Sequence, residues 1–439
     1  MDKRTYDAYI EILRQELVPA LGCTEPIAIA FGAARARDVL GCFPDNIWVC
    51  CSGNIIKNAK SVKVPNSGGL KGIAAAAVLG CTGGDWTRGL EVLNSIEDSH
   101  REQTKELLKQ DFCGCSLKED APNLYIQVTA QKRDCRASVT IEDYHTNITE
   151  ICKDGEILFQ KDRVRNQESE NSRSLLNLKD IVEFAETVDL KEVREIIKRQ
   201  IDYNLAISEE GLAHGWGCQV GRTILDTCSK QELGVIAKAR AAAGSDARMS
   251  GCSLPVVINS GSGNQGMTAS LPVIEYAKGL NVEEEKLYRA LCISNLLAQE
   301  QKKWIGSLSA YCGAVCAAAG AGAAITYLCG GTLEQIGSTV TNTICNIGGM
   351  VCDGAKPSCA AKIASAVDAA VMAHNMSMKA RSFANGDGLM QESAETTIQA
   401  MGYVGRIGMK QTDVEILNLM LGNTEMEKEP SALLNRSFN

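Results

Sequence analysis

The sequence predicts an α+β fold: a helix-dominated core with a small antiparallel β-containing module inserted after the N-terminal segment. Three observations predict it. Helical periodicity and small-residue runs fill both ends of the chain. Strands alternating at period two sit between them. Aromatic residues are only 5% of the chain, against 40 glycines and 19 cysteines, a composition suited to closely packed helices.

Tyr6, Tyr9, Ile10, Leu13 and Leu17 recur at helical spacing, and Pro19 ends that helix. "GCTEP" follows, and Pro26 opens a second helix running to about Leu40. "NIWVCCS" reads as a strand, "SGNIIKNAK" as a short helix or loop, and "GLKGIAAAAVLG" as a buried helix. "LYIQVTA" and "RASVTIEDYHTNITEI" alternate like half-buried strands, and Lys153-Asp154-Gly155-Glu156 is a hairpin turn. The polar run Asn166 to Ser174 reads as a linker. Beyond it the chain is mainly helical. Thr412 and Glu415 read as a capping box, with Gly422 as the stop. We therefore divide the chain into residues 1–85, the N-terminal part of the core; 86–165, the small α+β module; and 175–439, a mainly helical domain.

A net charge of −8 argues against a general affinity for nucleic-acid phosphates. The uncharged stretch from Trp304 to Leu333 is long enough to span a bilayer, but Gly, Ala, Ser, Thr and Cys dominate it. A buried core helix is the expectation, with no membrane partner. The opening "MDKRTYDAYIEILRQEL" has no apolar signal core, so the cysteines are expected to be reduced and the location cytoplasmic. Small-residue helix faces are compatible with a homodimer.

The candidate sites each have a plain alternative. Cys352 and Cys359 sit on the bent loop "VCDGAKPSC", where Gly and Pro prevent one straight helix from carrying both. That arrangement suits metal ligation better than packing. Cys345 continues the even spacing, yet lies in apolar "NTICNIGG" and serves equally as core. The third donor stays open on spacing alone. Cys113 and Cys115 could hold zinc, but nothing nearby completes a set of four. Cys23 precedes a helix start, whose dipole favours a thiolate; the alternative is a buried structural cysteine. His145, read as a strand residue in "YHTNI", either contacts a substrate or is a satisfied structural group. Arg248 either clamps a carboxylate or pairs with Asp246. "NSGSGNQG" matches G-x-G-x-x-G after an apolar run, but no second strand ending in an acid follows, so a Rossmann site is rejected. The loop still suits an anion such as a carboxylate. It also resembles the substrate loop of PLP-dependent β-eliminases, for which Lys230 and Lys238 lie upstream but no phosphate-binding glycine run is evident.

"GCTEPIAIA", "SDARMSG", "NSGSGNQG" and "VCDGAKPSCAAK", in this order, resemble the L-cysteine desulfidase family, related to the alpha chains of iron–sulfur L-serine dehydratases. The resemblance implies a 4Fe–4S cluster held by Cys312, Cys352 and Cys359, with Cys345 left as a core neighbour. It singles out Cys23 as an acid/base group or temporary iron ligand. The related dehydratases can cap the open iron with a C-terminal cysteine, and "LLNRSFN" has none. The implied reaction is α,β-elimination of L-cysteine to pyruvate, ammonia and hydrogen sulfide. The amino-acid substrate would be held by Asn54, Asn58, Arg248, Asn264 and Gln265, with His145 and Asn147 reaching in from the β module. L-serine dehydration, a PLP-dependent elimination and a non-catalytic metal-binding role are the alternatives.

Overall fold

The first helix, α1 (Lys3–Glu16), buries Tyr9, Ile10, Ile12 and Leu13 on one side, and Asp2 caps it by accepting from the Thr5 amide. Strand β1 (Pro19–Leu21) leads into α2 (Thr24–Leu40), which Gly41 closes in the left-handed region at φ 83°. Strand β2 (Asn46–Cys51) and helices α3 (Gly53–Ala59), α4 (Gly72–Gly83) and α5 (Asp98–Lys109) follow. The computed structural model describes residues 1–161, 172–229, 231–306 and 308–424. Most of the expected linker, Lys230 and the C-terminal "LLNRSFN" therefore lie outside the described residues.

Strands β3 (Cys113–Leu117), β4 (Tyr125–Lys132), β5 (Cys135–Glu142), β6 (Ile148–Lys153) and β7 (Glu156–Gln160) join β2 in one sheet, ordered β3-β2-β4-β5-β6-β7. β2 and β3 run parallel and the other neighbours antiparallel, so the sheet is mixed. The β6–β7 turn takes positive φ at Asp154 (51°) and Gly155 (87°), the backbone a tight hairpin needs. Helix α2 lies between this sheet and α4. Small residues allow the approach: a Cβ on Gly80 would meet the Ala30 carbonyl oxygen at 2.2 Å, and one on Gly32 would meet Val128 at 3.0 Å.

The rest of the chain is helical. Helices α6 (Leu178–Thr187), α7 (Leu190–Ala213), α8 (Val220–Thr227) and α9 (Leu233–Met249) precede the short strand β8 (Pro255–Val257). Then come α10 (Gly263–Gly279), α11 (Glu284–Ile305), α12 (Gly313–Leu328), α13 (Leu333–Ile347) and α14 (Cys359–Ser377). The uncharged stretch forms α12, buried against α10, α11, α13 and α14. Among the described residues no helix is long and apolar enough to cross a membrane.

Helices α15 (Ala394–Tyr403) and α16 (Lys410–Leu421) end the described chain. The expected capping box is corrected here. A π-helical turn at Val404–Gly408 runs almost directly into α16, which begins at Lys410, so Thr412 lies inside the helix. Gly422 does stop it, at φ 77°.

A Cβ on Gly320 of α12 would meet the Ser294 carbonyl oxygen of α11 at 2.4 Å. Gly320→Ala is expected to destabilise the chain by about 1–3 kcal/mol, read as a lower urea midpoint.

Candidate functional site

Two short backbone pairings assemble the site. Strand β1 pairs antiparallel with β8, Pro19 opposite Val257 and Leu21 opposite Pro255. This brings the Cys23 end of α2 beside the loop Asn259–Ser262. The Thr24 hydroxyl completes the link by donating to the Gly261 carbonyl at 2.7 Å. Tyr311 pairs with Val351 in an isolated antiparallel bridge. Its bonds, Cys312 N to Met350 O at 2.9 Å and Cys352 N to Ala310 O at 2.7 Å, set Cys312 and Cys352 side by side. Cys359 starts α14, and its sulfur accepts from the Lys356 amide at 3.4 Å.

A cavity of ≈ 90 Å³ is lined by Cys23, Asn54, Asn58, Arg248, Asn264, Gln265, Cys312, Cys352 and Cys359. Nine of the eleven residues selected from the sequence thus meet in one place. Cys345, on α13, does not line it. Two selected residues stand apart. His145 lines an adjoining vestibule of ≈ 640 Å³, and its Nε2 lies 4.0 Å from Glu25 Oε1. It is on the loop between β5 and β6, not on a strand, because Asp143 takes φ 65° and ends the extended run. Asn147 is turned elsewhere: it donates to the Glu142 carbonyl at 2.8 Å and accepts from Lys161 at 2.5 Å. It lines neither the cavity nor the vestibule.

The cavity also holds side chains that the sequence reading passed over. Glu25 accepts from Cys23 Sγ at 2.9 Å and from Asn58 Nδ2 at 2.8 Å. Burial alone would raise its pKa, but His145 and the Cys23 donor hold the carboxyl below the usual range. It stood inside the quoted "GCTEP", where a helix-start acid looks like ordinary dipole compensation. Lys57, Lys302 and Lys362 line the cavity too. Lys57 pairs with Asp413 of α16 and Lys362 with Asp353.

The electrostatics separate the thiols. Cys312 donates to Cys352, and this contact, with Lys57 and Lys362 nearby, holds Cys352 below the ordinary thiol range. Cys312 is held high by the same contact and by burial. Burial pushes Cys359 up, against the pull of the Lys356 amide. Cys23 departs from the helix-dipole expectation: burial first, then Glu25, push its thiol well up, while Arg248 pulls the other way.

Arg248 is not paired with Asp246. Two residues apart on α9, the side chains diverge, and Asp246 accepts instead from the Gly221 amide at 3.1 Å. The Arg248 Nε is buried without a hydrogen-bond partner, as are Asn54 Oδ1, Asn58 Oδ1 and Gln265 Oε1. Each such atom costs about 1–3 kcal/mol if left unpaired. The site is therefore built for a polar guest.

Could a cluster fit? Among the described residues no three His, Cys, Asp or Glu side chains close around a single ion. A 4Fe–4S cluster makes a different demand, since each of three irons takes its own thiolate. Three thiols facing one cavity, with lysines beside them to offset thiolate charge, fit that demand. Lys238, one of the two lysines named from the sequence for a PLP reading, is paired with Asp368 and does not line the cavity.

A family model described as the serine dehydratase alpha chain matches residues 87–418. A UPF0597 protein of Lachnoclostridium phytofermentans is 52% identical, over 95% of this chain and 100% of its own length. One from Desulfitobacterium hafniense is 49% identical, over 95% and 97%. One from Aeromonas hydrophila is 38% identical, over 97% and 99%.

Removing the unpaired guanidinium should relieve the empty chain. Arg248→Met is expected to stabilise the protein by about 1–3 kcal/mol, read as a higher thermal midpoint.

Proposed function

The chain belongs to the serine dehydratase alpha-chain family, and from that premise we propose that it is an iron–sulfur lyase that eliminates sulfide from L-cysteine. The observation that carries the reading is one cavity lined by Cys312, Cys352 and Cys359 together with Cys23 and Arg248. Cys312, Cys352 and Cys359 would hold the cluster. When bound, such a cluster supplies a Lewis-acidic iron, the chemistry that a departing thiolate or hydroxide needs.

The protein's own groups do the rest. Arg248, buried and unpaired at Nε, takes the substrate carboxylate. Asn54, Asn58, Asn264 and Gln265 fix the remaining polar atoms. Cys23 Sγ is the base for the Cα proton; burial and Glu25 hold it as the thiol in the empty chain, so it acts only after giving up that proton. As the Cα–H bond breaks, its electron pair forms the Cα–Cβ double bond. The Cβ–S bond breaks and sulfide leaves with that bond's pair. The aminoacrylate product then tautomerises and hydrolyses to pyruvate and ammonia. The cavity is small, ≈ 90 Å³ beside a vestibule of ≈ 640 Å³, which favours a short amino acid. Dehydration of L-serine is the second reading, favoured by the name of the family model.

The test is anaerobic purification with iron and sulfide analysis, then pyruvate assays on L-cysteine and L-serine. Turnover should require iron and be faster on L-cysteine. Full activity in an iron-free sample would overturn the reading. Cys352→Ser is expected to lose both iron and turnover. Cys23→Ser should keep the iron content and absorbance while turnover falls by about 10²–10⁴-fold.

A further inference from the structure

Four cationic side chains line the site cavity, Lys57, Arg248, Lys302 and Lys362, against one carboxylate, Glu25. Cations in excess suit a carboxylate guest and thiolates. They leave open why a carboxylate is buried among them. Glu25 is 7% exposed. Three donors fill part of its capacity, Cys23 and Thr24 at Oε2 and Asn58 at Oε1, and His145 Nε2 lies 4.0 Å from Oε1. An ionised carboxylate has about four acceptor positions, so room remains.

The unpaired atoms around it divide by polarity. Asn54 Oδ1, Asn58 Oδ1 and Gln265 Oε1 are acceptors without a donor. The Asn58 amide is oriented by its own bond, because Nδ2 donates to Glu25 and leaves Oδ1 to look outward. Arg248 Nε is the opposite, a donor without an acceptor. Three orphan oxygens and a carboxylate ask for a cation with several N–H bonds. One orphan guanidinium N–H asks for an anion. An α-amino acid zwitterion has both, and its ammonium has three donors.

We propose that Glu25, with the amide oxygens of Asn54, Asn58 and Gln265, is the binding site for the substrate ammonium and makes a free α-amino group obligatory. The proposal rests on the lyase reading and deepens it, naming the class of guest as unmodified α-amino acids. A hydroxy acid or a simple thiol acid would leave the buried amide oxygens of Asn54, Asn58 and Gln265 without the donors they lack. Sites built around a substrate N–H reject analogues that lack it far more strongly than apolar pockets reject a methylene.

The experiment uses the anaerobically prepared holoenzyme and two unreactive probes, measured by calorimetry. L-Alanine has both charges and no leaving group; propionate has the carboxylate alone. The wild-type protein should prefer L-alanine by at least about 100-fold. Glu25→Gln should cut that preference to about tenfold or less while propionate binding stays unchanged. Asn54→Ala, which leaves the charge in place, should weaken L-alanine alone, and it serves if the Glu25 variant does not fold. A Glu25→Gln protein that weakens both probes equally, or neither, overturns the proposal and leaves the lyase reading standing. A wild-type holoenzyme that binds neither L-alanine nor L-cysteine overturns both.

Discussion

Two backbone hydrogen bonds across the Tyr311–Val351 bridge are the constraint on which the site depends. They join chain positions separated by two whole helices, α12 and α13. Cys312 ends its loop by starting α12, and Cys352 enters the bend that ends by starting α14. The bridge thus fixes the starts of two helices and two thiols at once. Gly354, at φ 91°, lets the bend close against the Lys57 backbone of α3. No helix contact could do the same work, because the sulfurs lie just outside the helical cylinders.

A second constraint holds the opposite wall. Asn259 donates to Asn295 and accepts from Gln299, while Gln200 and Asn295 bond each other in both directions. Asn204 braces Val257 by accepting from its amide at 2.9 Å and donating to its carbonyl at 3.3 Å. Ser260 N is held by Glu16, which Arg173 in turn engages. Buried and mutually satisfied, these amides specify one loop geometry where an apolar core would tolerate several. The glycines of "NSGSGNQG" then serve packing as well as turning. A Cβ on Gly266 would meet the Val257 carbonyl oxygen at 2.0 Å.

Local order was the part legible in the residues themselves. The period of α1, the Asp154-Gly155 hairpin and the buried alanine-rich helices follow from side-chain spacing and backbone preference. Cys352 and Cys359 could be singled out because a Gly/Pro bend is visible locally. Cys312, which lines the same cavity, could not: even spacing favoured Cys345, and only resemblance pointed to Cys312. The choice turns on the long-range bridge, which leaves no periodic trace. Arg248 was ambiguous for the opposite reason. Asp246 is near it along the chain, yet helical rotation over two residues separates them. Glu25 escaped because a helix-start acid is commonplace, and its partners Asn58 and His145 arrive from other elements.

Helix α2 has a mechanical consequence. Its 17 residues make a rod of about 25 Å. The shaft is wedged between β4 and β5 on one side and α4 on the other, with Gly32 and Gly80 at the pinch points. Its tip carries Cys23 and Glu25. A wedged rod transmits displacement along its length with little loss. The grip of β4, β5 and α4 on the shaft therefore sets where the Cys23 sulfur and the Glu25 carboxylate stand in the cavity.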